Sequence, residues 1–173
     1  MPEIIEILKY ILPSLIVFLT AYLLINKFIN NDQHKRKLEI ILNNQKIITP
    51  IKLQAYERLI LFLERISTES LIIRTQQTGM TSKQLHISLL STIRAEFEHN
   101  ISQQLYVTPQ AWELVKASKE NTIKLINYSA ANTNPKLPSL VLSRTIIEKV
   151  MEKTKAPSTE AIDFLKKEMS SLF

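Results

Sequence analysis

The chain has 173 residues, no cysteine and a single glycine, Gly79. This length fits one ordinary domain, or a smaller domain with an anchor. Without cysteine, disulfides, thiolate zinc sites and cysteine nucleophiles are excluded. Because tight turns need glycine whereas helix interiors disfavour it, one glycine predicts an all-α fold. The net charge of +6 is spread along the chain without forming a phosphate track, so we expect no nucleic-acid partner.

The first predicted element is an apolar helix near the amino terminus. Only uncharged residues separate Lys9 from Lys27, and with both lysines reaching the interfaces the span becomes residues 7–28. Such a helix is about 33 Å long, close to the thickness of a hydrocarbon core. Consecutive apolar side chains at 15–19 surround the helix axis, which is typical of a helix in lipid. We predict a membrane anchor of residues 1–30.

The flanks of this helix predict whether it is cleaved off and how it is oriented in the membrane. Glu3 and Glu6 replace the positive region of a secretion signal, and no small-residue cleavage site follows, so we expect the anchor to be retained. Basic residues gather on the carboxyl-terminal flank, which predicts an outside amino terminus and cytoplasmic residues 31–173. The predicted membrane-flank residues are Lys27, Lys35, Arg36 and Lys37.

Beyond the anchor, the pattern predicts a basic juxtamembrane helix or linker at 31–49 and a cytoplasmic helical domain at 50–173. Thr49-Pro50 predicts a helix boundary, since threonine caps and proline suits the first turn. Residues 71–75 could be extended or helical, and a turn is expected at Gly79. The remaining predicted helices lie at about 50–67, 82–106, 109–131 and 139–154, with a last one from 157.

Apolar residues at helical spacing predict which side of each helix faces the core. The predicted inward-facing residues include Leu53, Tyr56, Leu59, Phe62, Leu63, Leu85, Leu89, Ile93, Phe97, Ile101, Trp112, Val115, Ile126, Tyr128, Leu140, Val141, Ile146, Ile147, Ile162, Leu165, Met169 and Phe173.

No motif predicts catalysis or a cofactor. One glycine cannot build a phosphate-binding loop, and the serines have no nucleophile elbow around them. Glu96-x-x-His99 has the spacing of a helical metal motif, but a dinuclear site needs two such motifs and further carboxylates. We therefore expect a non-enzymatic protein with no metal and no cofactor. A metal- or ligand-binding protein or enzyme that uses Glu96 and His99 remains an alternative.

Two polar stripes form a candidate interaction face. Glu57, Arg58, Glu64 and Arg65 lie opposite the apolar arc of their helix, and a second set shares one side of the following helix. These side chains could be solvated, could pair within the molecule, or could bind another protein. The second set is Glu96, His99, Asn100 and Gln103.

Several stretches together resemble an uncharacterised family of bacterial single-pass membrane proteins, catalogued as a domain of unknown function. They are LKYILPSLIVFLTAYLL, LQAYERLILFLERIS, GMTSKQL, IRAEFEHNISQQLYVTPQAW and DFLKKEMSSLF. The resemblance covers nearly the whole chain. It implies an amino-terminal membrane helix and a helical cytoplasmic part, and it supplies no catalytic residues.

These observations favour a membrane-tethered, non-enzymatic scaffold or adaptor. The expected partners are the bilayer, through residues 7–28, and an unknown protein or further copies of the same chain. A second alternative is a soluble helical bundle in which residues 7–28 form part of the core.

Overall fold

The computed structural model describes the backbone of residues 2–152 and 156–171, and their side chains except at 2–14, 30 and 34. Six α-helices and one 3-10 turn form this described part, which confirms the predicted all-α class. The α-helices are α1 (Pro2–Arg65), α2 (Thr68–Thr75), α3 (Ser82–Asn100), α4 (Pro109–Ala131), α5 (Ser139–Met151) and α6 (Thr159–Ser170), and the 3-10 turn is Ile101–Leu105.

The chain divides into two compact units, Met1–Thr49 and Pro50–Phe173. The boundary falls at Thr49-Pro50, but the predicted helix end there is wrong, because α1 continues to Arg65. A proline inside a helix removes one backbone donor and costs about 3 kcal/mol, yet its φ is already helical. Pro13 and Pro50 both lie inside α1, so each withholds one backbone donor from the hydrogen bonds of the helix.

The second unit has its own hydrophobic core, whose members begin at Tyr56. Leu59 and Leu63 are fully buried on one side of α1, as their spacing predicts, and Ile66 is fully buried just after the helix ends. The core also contains Leu71, Leu85, Leu89, Ile93, Val115, Ile126, Leu142, Ile146 and Leu165. Helices α3, α4 and α5 contact one another pairwise, and α6 packs on α4. These contacts make a small helical bundle.

An aromatic group lies within this core. The Phe97 ring stacks on Trp112 at a centroid distance of 5.5 Å and lies 5.9 Å from Phe62. The Lys119 ammonium sits 4.1 Å from the Phe97 ring centroid, in cation–π geometry. The group connects α1, α3 and α4. All three rings face the core, as predicted from the sequence.

Side-chain caps begin two of the helices. The Thr81 hydroxyl accepts from the Gln84 backbone N–H, and the Gln84 side chain accepts from the Thr81 N–H, which is a complete capping box. Thr108 caps α4 by accepting from Ala111 N–H at 3.2 Å. Gly79 has φ +84°, a left-handed conformation that favours glycine, so the turn predicted there is confirmed.

Two other predictions about helix extent are decided by the structure. Residues 71–75 are helical, since they complete α2. The predicted single helix of 82–106 is wrong, because α3 ends at Asn100 and a 3-10 turn follows. The Asn100 side-chain amide donates to the Glu96 backbone carbonyl at 2.8 Å, which takes up an acceptor that the helix end exposes.

Several residues predicted to face the core are exposed instead. On α5 the buried residues are Ser139, Leu142, Ser143 and Ile146. Two small serines therefore share the buried side with Leu142 and with Ile146, which was predicted there. Hydrophobic periodicity cannot anticipate this, because the serines are held by a polar partner described below. The misassigned residues are Leu53, Ile101, Tyr128, Leu140, Val141 and Ile147, which are 36–69% exposed, whereas Phe173 lies outside the described residues.

The predicted membrane span is described only in part. Residues 7–14 lie outside the described side chains. Within the described part of the chain, no helix combines the length and the apolar character needed to cross a membrane.

Candidate functional site

The α1 part of the candidate interaction face lies at the surface of the second unit. Glu57, Arg58, Glu64 and Arg65 are all exposed, opposite the buried side of the helix. The predicted separation of a charged stripe from an apolar arc is therefore present from Ala55 to Arg65. Of these four residues, Arg65 makes the long-range contact described next.

Glu96 is the centre of the polar contacts on this face. Its carboxylate accepts from Arg65 Nη1 at 3.2 and 3.3 Å and from Arg74 Nη1 at 3.3 Å. The carboxylate-bearing side chain is only 15% exposed, whereas the arginine side chains are 48% and 37% exposed. Two cations thus share one largely shielded anion, and α1, α2 and α3 are held together at this point.

Arg74 is the member of this cluster that the sequence reading missed. Its Nη2 also donates to the Arg65 backbone carbonyl at 2.7 Å, so it satisfies an acceptor at the carboxyl end of α1. An arginine in the last turn of a short helix is a weak signal for such a role. Its partners lie 9 and 22 residues away along the chain, which helical spacing does not reveal.

The other predicted residues of the second stripe lie in different elements and differ in exposure. His99 is exposed in the last turn of α3, where a cation suits the helix dipole. Gln103 lies in the 3-10 turn, where it is only 9% exposed, so it is not available to a docking partner. The structure therefore brings Arg65 and Glu96 together and separates Gln103 from the surface of the candidate face.

The pairing of Glu96 bears on the metal alternative. A divalent cation at this carboxylate would meet the positive charges of two guanidinium groups within hydrogen-bond distance. Across the described residues, no cluster of three or more histidine, aspartate or glutamate side chains is arranged to hold a metal ion. The geometry therefore offers no support for a metal at Glu96 and His99.

A cleft of about 600 Å³ lies between the α2–α3 loop and the start of α5. Gln76 donates to Ser139 Oγ at 3.0 Å and accepts from Ser143 Oγ at 2.8 Å, which explains why both serines face inward. The Ser82 N–H donates to the Leu137 carbonyl at 2.8 Å. The first donors of α3 are therefore already engaged by the protein itself.

A second polar contact lies inside the domain, at Tyr56. Burial and the neighbouring Glu168 carboxylate raise the pKa of Tyr56 to about 12. One oxygen of Glu168 is itself buried. The tyrosine hydroxyl therefore keeps its proton at physiological pH.

The predicted membrane flank is exposed. Lys27, Lys35, Arg36 and Lys37 all lie on the solvent-accessible surface of α1. Arg36 donates to Asp32 at 2.9 Å one helical turn earlier, so part of its charge is balanced locally. The neighbouring apolar residues are exposed as well, with Leu15 at 54% and Phe28 at 74%.

Comparison of the chain with curated proteins and with solved structures finds no match. A family model, described as a family of unknown function (DUF7935), matches residues 2–172. The match covers nearly the whole chain and agrees with the resemblance to an uncharacterised family. The chain therefore belongs to this family of unknown function.

Proposed function

We propose that this chain is a membrane-tethered protein-interaction module with no catalytic step of its own. Residues 7–28 anchor it, and the helical unit from Pro50 onward carries the interaction surfaces on the cytoplasmic side. The observation that carries the proposal is the exposure of apolar side chains around the whole circumference of α1 between Leu15 and Ile29.

Every described residue from Leu15 to Ile29 is exposed. The large apolar ones are 48–74% exposed, and they include the consecutive run Leu15–Leu19. Consecutive residues on a helix point about 100° apart, so such a run presents apolar surface in every direction. A single protein partner covers one side of a helix, whereas lipid covers all sides, and this favours a bilayer.

The carboxyl-terminal flank supports the orientation. Lys27, Lys35, Arg36 and Lys37 follow the apolar stretch, and basic residues within about 15–20 residues of a span remain on the cytoplasmic side. Their exposed side chains can also bind anionic headgroups, each contributing about 1 kcal/mol near the surface. The anchor would then hold the helical unit close to the inner face of the membrane.

The mechanism that follows is confinement. A tethered domain meets a membrane-bound partner at an effective concentration on the order of millimolar, which raises avidity without new contacts. The exposed charged residues Glu57, Arg58 and Glu64 and the exposed apolar residues Leu140 and Val141 supply surface for such contacts.

Membrane association is tested by alkaline carbonate washing of cell envelopes that contain the full chain. We expect the protein to stay with the membrane. Leu19→Arg should weaken its retention, because Leu19 lies near the centre of residues 7–28 and arginine at a span centre costs about 2.5–3.5 kcal/mol. Leu61→Arg is the matched control, since Leu61 is also an exposed leucine of α1, at 53% against 48% for Leu19.

Release of the wild-type chain into the carbonate supernatant would refute the anchor. Equal loss of retention for Leu19→Arg and Leu61→Arg would show that the substitution acts through general misfolding instead. The interaction part is tested by crosslinking in intact cells followed by mass spectrometry. Recovery of the chain without any crosslinked protein, in a sample where membrane retention is intact, would contradict it.

A further inference from the structure

The stretch of α1 that follows the basic flank has an unusual surface. Between Leu38 and Ile48, six large aliphatic side chains are 47–61% exposed. Only Glu39 and Lys46 are charged within these eleven residues. A solvated helix normally covers such a surface with charges, so this segment is expected to be covered by something else. The six residues are Leu38, Ile40, Ile41, Leu42, Ile47 and Ile48.

Four residues of this segment recur with the spacing of a coiled-coil seam. Leu38, Ile41, Gln45 and Ile48 are separated by three, four and three residues, which are the a and d positions of a heptad. At about 100° per residue they fall within an arc of roughly 80°. All four are exposed, and Leu42 lies beside them.

The charges of the segment avoid this seam. Glu39 and Lys46 lie near each other on the polar side of the helix, roughly 120–140° from the seam centre at about 100° per residue. In a symmetric parallel pair each seam residue meets its own copy, so a charge there would repel itself. Gln45 is the one polar residue on the seam, and an amide can both donate to and accept from its copy.

We propose that residues 38–48 form a seam through which two parallel copies of this chain associate. The three aliphatic residues of the seam and the neighbouring Leu42 are each about half exposed. Together they present roughly 400 Å² per copy, about half of what a standard interface buries per partner. Free chains would pair weakly through such an area. Copies anchored in one membrane are parallel and locally concentrated, so the pairing rests on the proposed membrane tether.

The absence of cysteine allows a direct test in the full chain. Single cysteines are placed on the seam by Ile41→Cys, Gln45→Cys and Ile48→Cys, and on the polar side by Glu39→Cys, Asn43→Cys and Lys46→Cys. Isolated membranes are then mildly oxidised, and the covalent dimer is quantified on non-reducing gels. Because disulfides need Cβ atoms within about 4.5 Å, we expect at least about fivefold more dimer for the seam set.

Equal crosslinking of the two sets, or stronger crosslinking at Ile47→Cys than on the seam, would overturn the proposal. So would a lack of covalent dimer in every variant while the chain stays in carbonate-washed membranes, because lipid or another protein would then cover this surface. Release of the chain by carbonate identifies failure of the anchor separately. A second arm reconstitutes Gln45→Cys at tenfold lower protein-to-lipid ratio, and the dimer fraction is expected to fall.

Discussion

Replacing Glu96 by glutamine tests whether the shared carboxylate stabilises the second unit. The amide has the same shape, but it carries no charge and only one of its two terminal atoms accepts hydrogen bonds. Arg65 and Arg74 each lie within 3.3 Å of the carboxylate. After Glu96→Gln, two like charges remain close together without the anion that holds them.

The expected loss of stability after Glu96→Gln follows from the exposure of the three side chains. Exposed ion pairs contribute about 0.2–1 kcal/mol each, whereas hydrogen bonds to shielded charged groups contribute about 1.5–3 kcal/mol. Glu96 is 15% exposed, but its partners are 48% and 37% exposed, so solvent screens both pairs. We expect a loss of about 1–2 kcal/mol in the free energy of unfolding, or roughly 4–8 °C in the midpoint temperature.

Trp112 provides the assay, since it is the only tryptophan and is buried in the core of the second unit. Thermal unfolding of the full chain in detergent micelles is followed by its fluorescence. Glu98→Gln is the matched control, because Glu98 is exposed two residues along the same helix. A midpoint for Glu96→Gln within 1 °C of that control, at low salt, would refute the reasoning, whereas high salt should narrow the gap.

Three further substitutions are measured with the same fluorescence signal. Leu89→Ala removes a fully buried side chain and should lower the free energy of unfolding by about 2–5 kcal/mol. Leu105→Ala, at a residue that is 77% exposed, should change it by no more than about 0.5 kcal/mol. Equal effects of the two substitutions would contradict the assigned core. Gly79→Ala should cost about 1–2 kcal/mol through its φ of +84° alone, because an added Cβ meets no atom within 4 Å. Since the raised pKa of Tyr56 lowers stability as pH rises from 10 to 12, the wild type should lose about 2–3 kcal/mol more than Tyr56→Phe over that interval; parallel pH profiles would contradict this.

Local signals in the sequence predicted helix starts well. Thr108-Pro109 combines a capping hydroxyl with a proline in the first turn, and α4 begins at Pro109 and ends at Ala131, as predicted. The capping box at Thr81 and the turn at Gly79 are likewise encoded within a few residues. Such features depend on neighbours in the chain, so the sequence alone contains the information.

Features that depend on distant partners were not predictable in this way. The same cap-and-proline pattern at Thr49-Pro50 does not end α1, because the outcome depends on what stabilises the helix on both sides. The inward orientation of Ser139 and Ser143 depends on Gln76, more than 60 residues earlier. The pattern of apolar residues predicted the inward position of Ile146 correctly, but it also assigned Leu140, Val141 and Ile147 to the core, since hydrophobicity does not record which polar groups find a partner.

The sequence predicted only those parts of the candidate face that helical spacing determines. Placing Glu96 and Arg65 on facing polar stripes followed from helical spacing, and the pairing of these two residues within the molecule was one of the interpretations left open. Arg74 was missed, because its contribution requires the position of α2. Gln103 was assigned to the stripe by spacing, but α3 ends before it and the 3-10 turn changes its direction.

The two units of the chain differ in what can keep them helical. From Ala55 to Arg65, α1 buries one side in the core of the second unit, and this burial stabilises the helix. From Leu15 to Ile29 the described side chains are all exposed. Nine of these fifteen residues are β-branched, aromatic or asparagine, which favour helices weakly. Isolated helices in water are marginal even with better sequences. A hydrocarbon environment would stabilise such a helix in two ways. It covers apolar side chains on every side, and it makes the internal backbone hydrogen bonds obligatory.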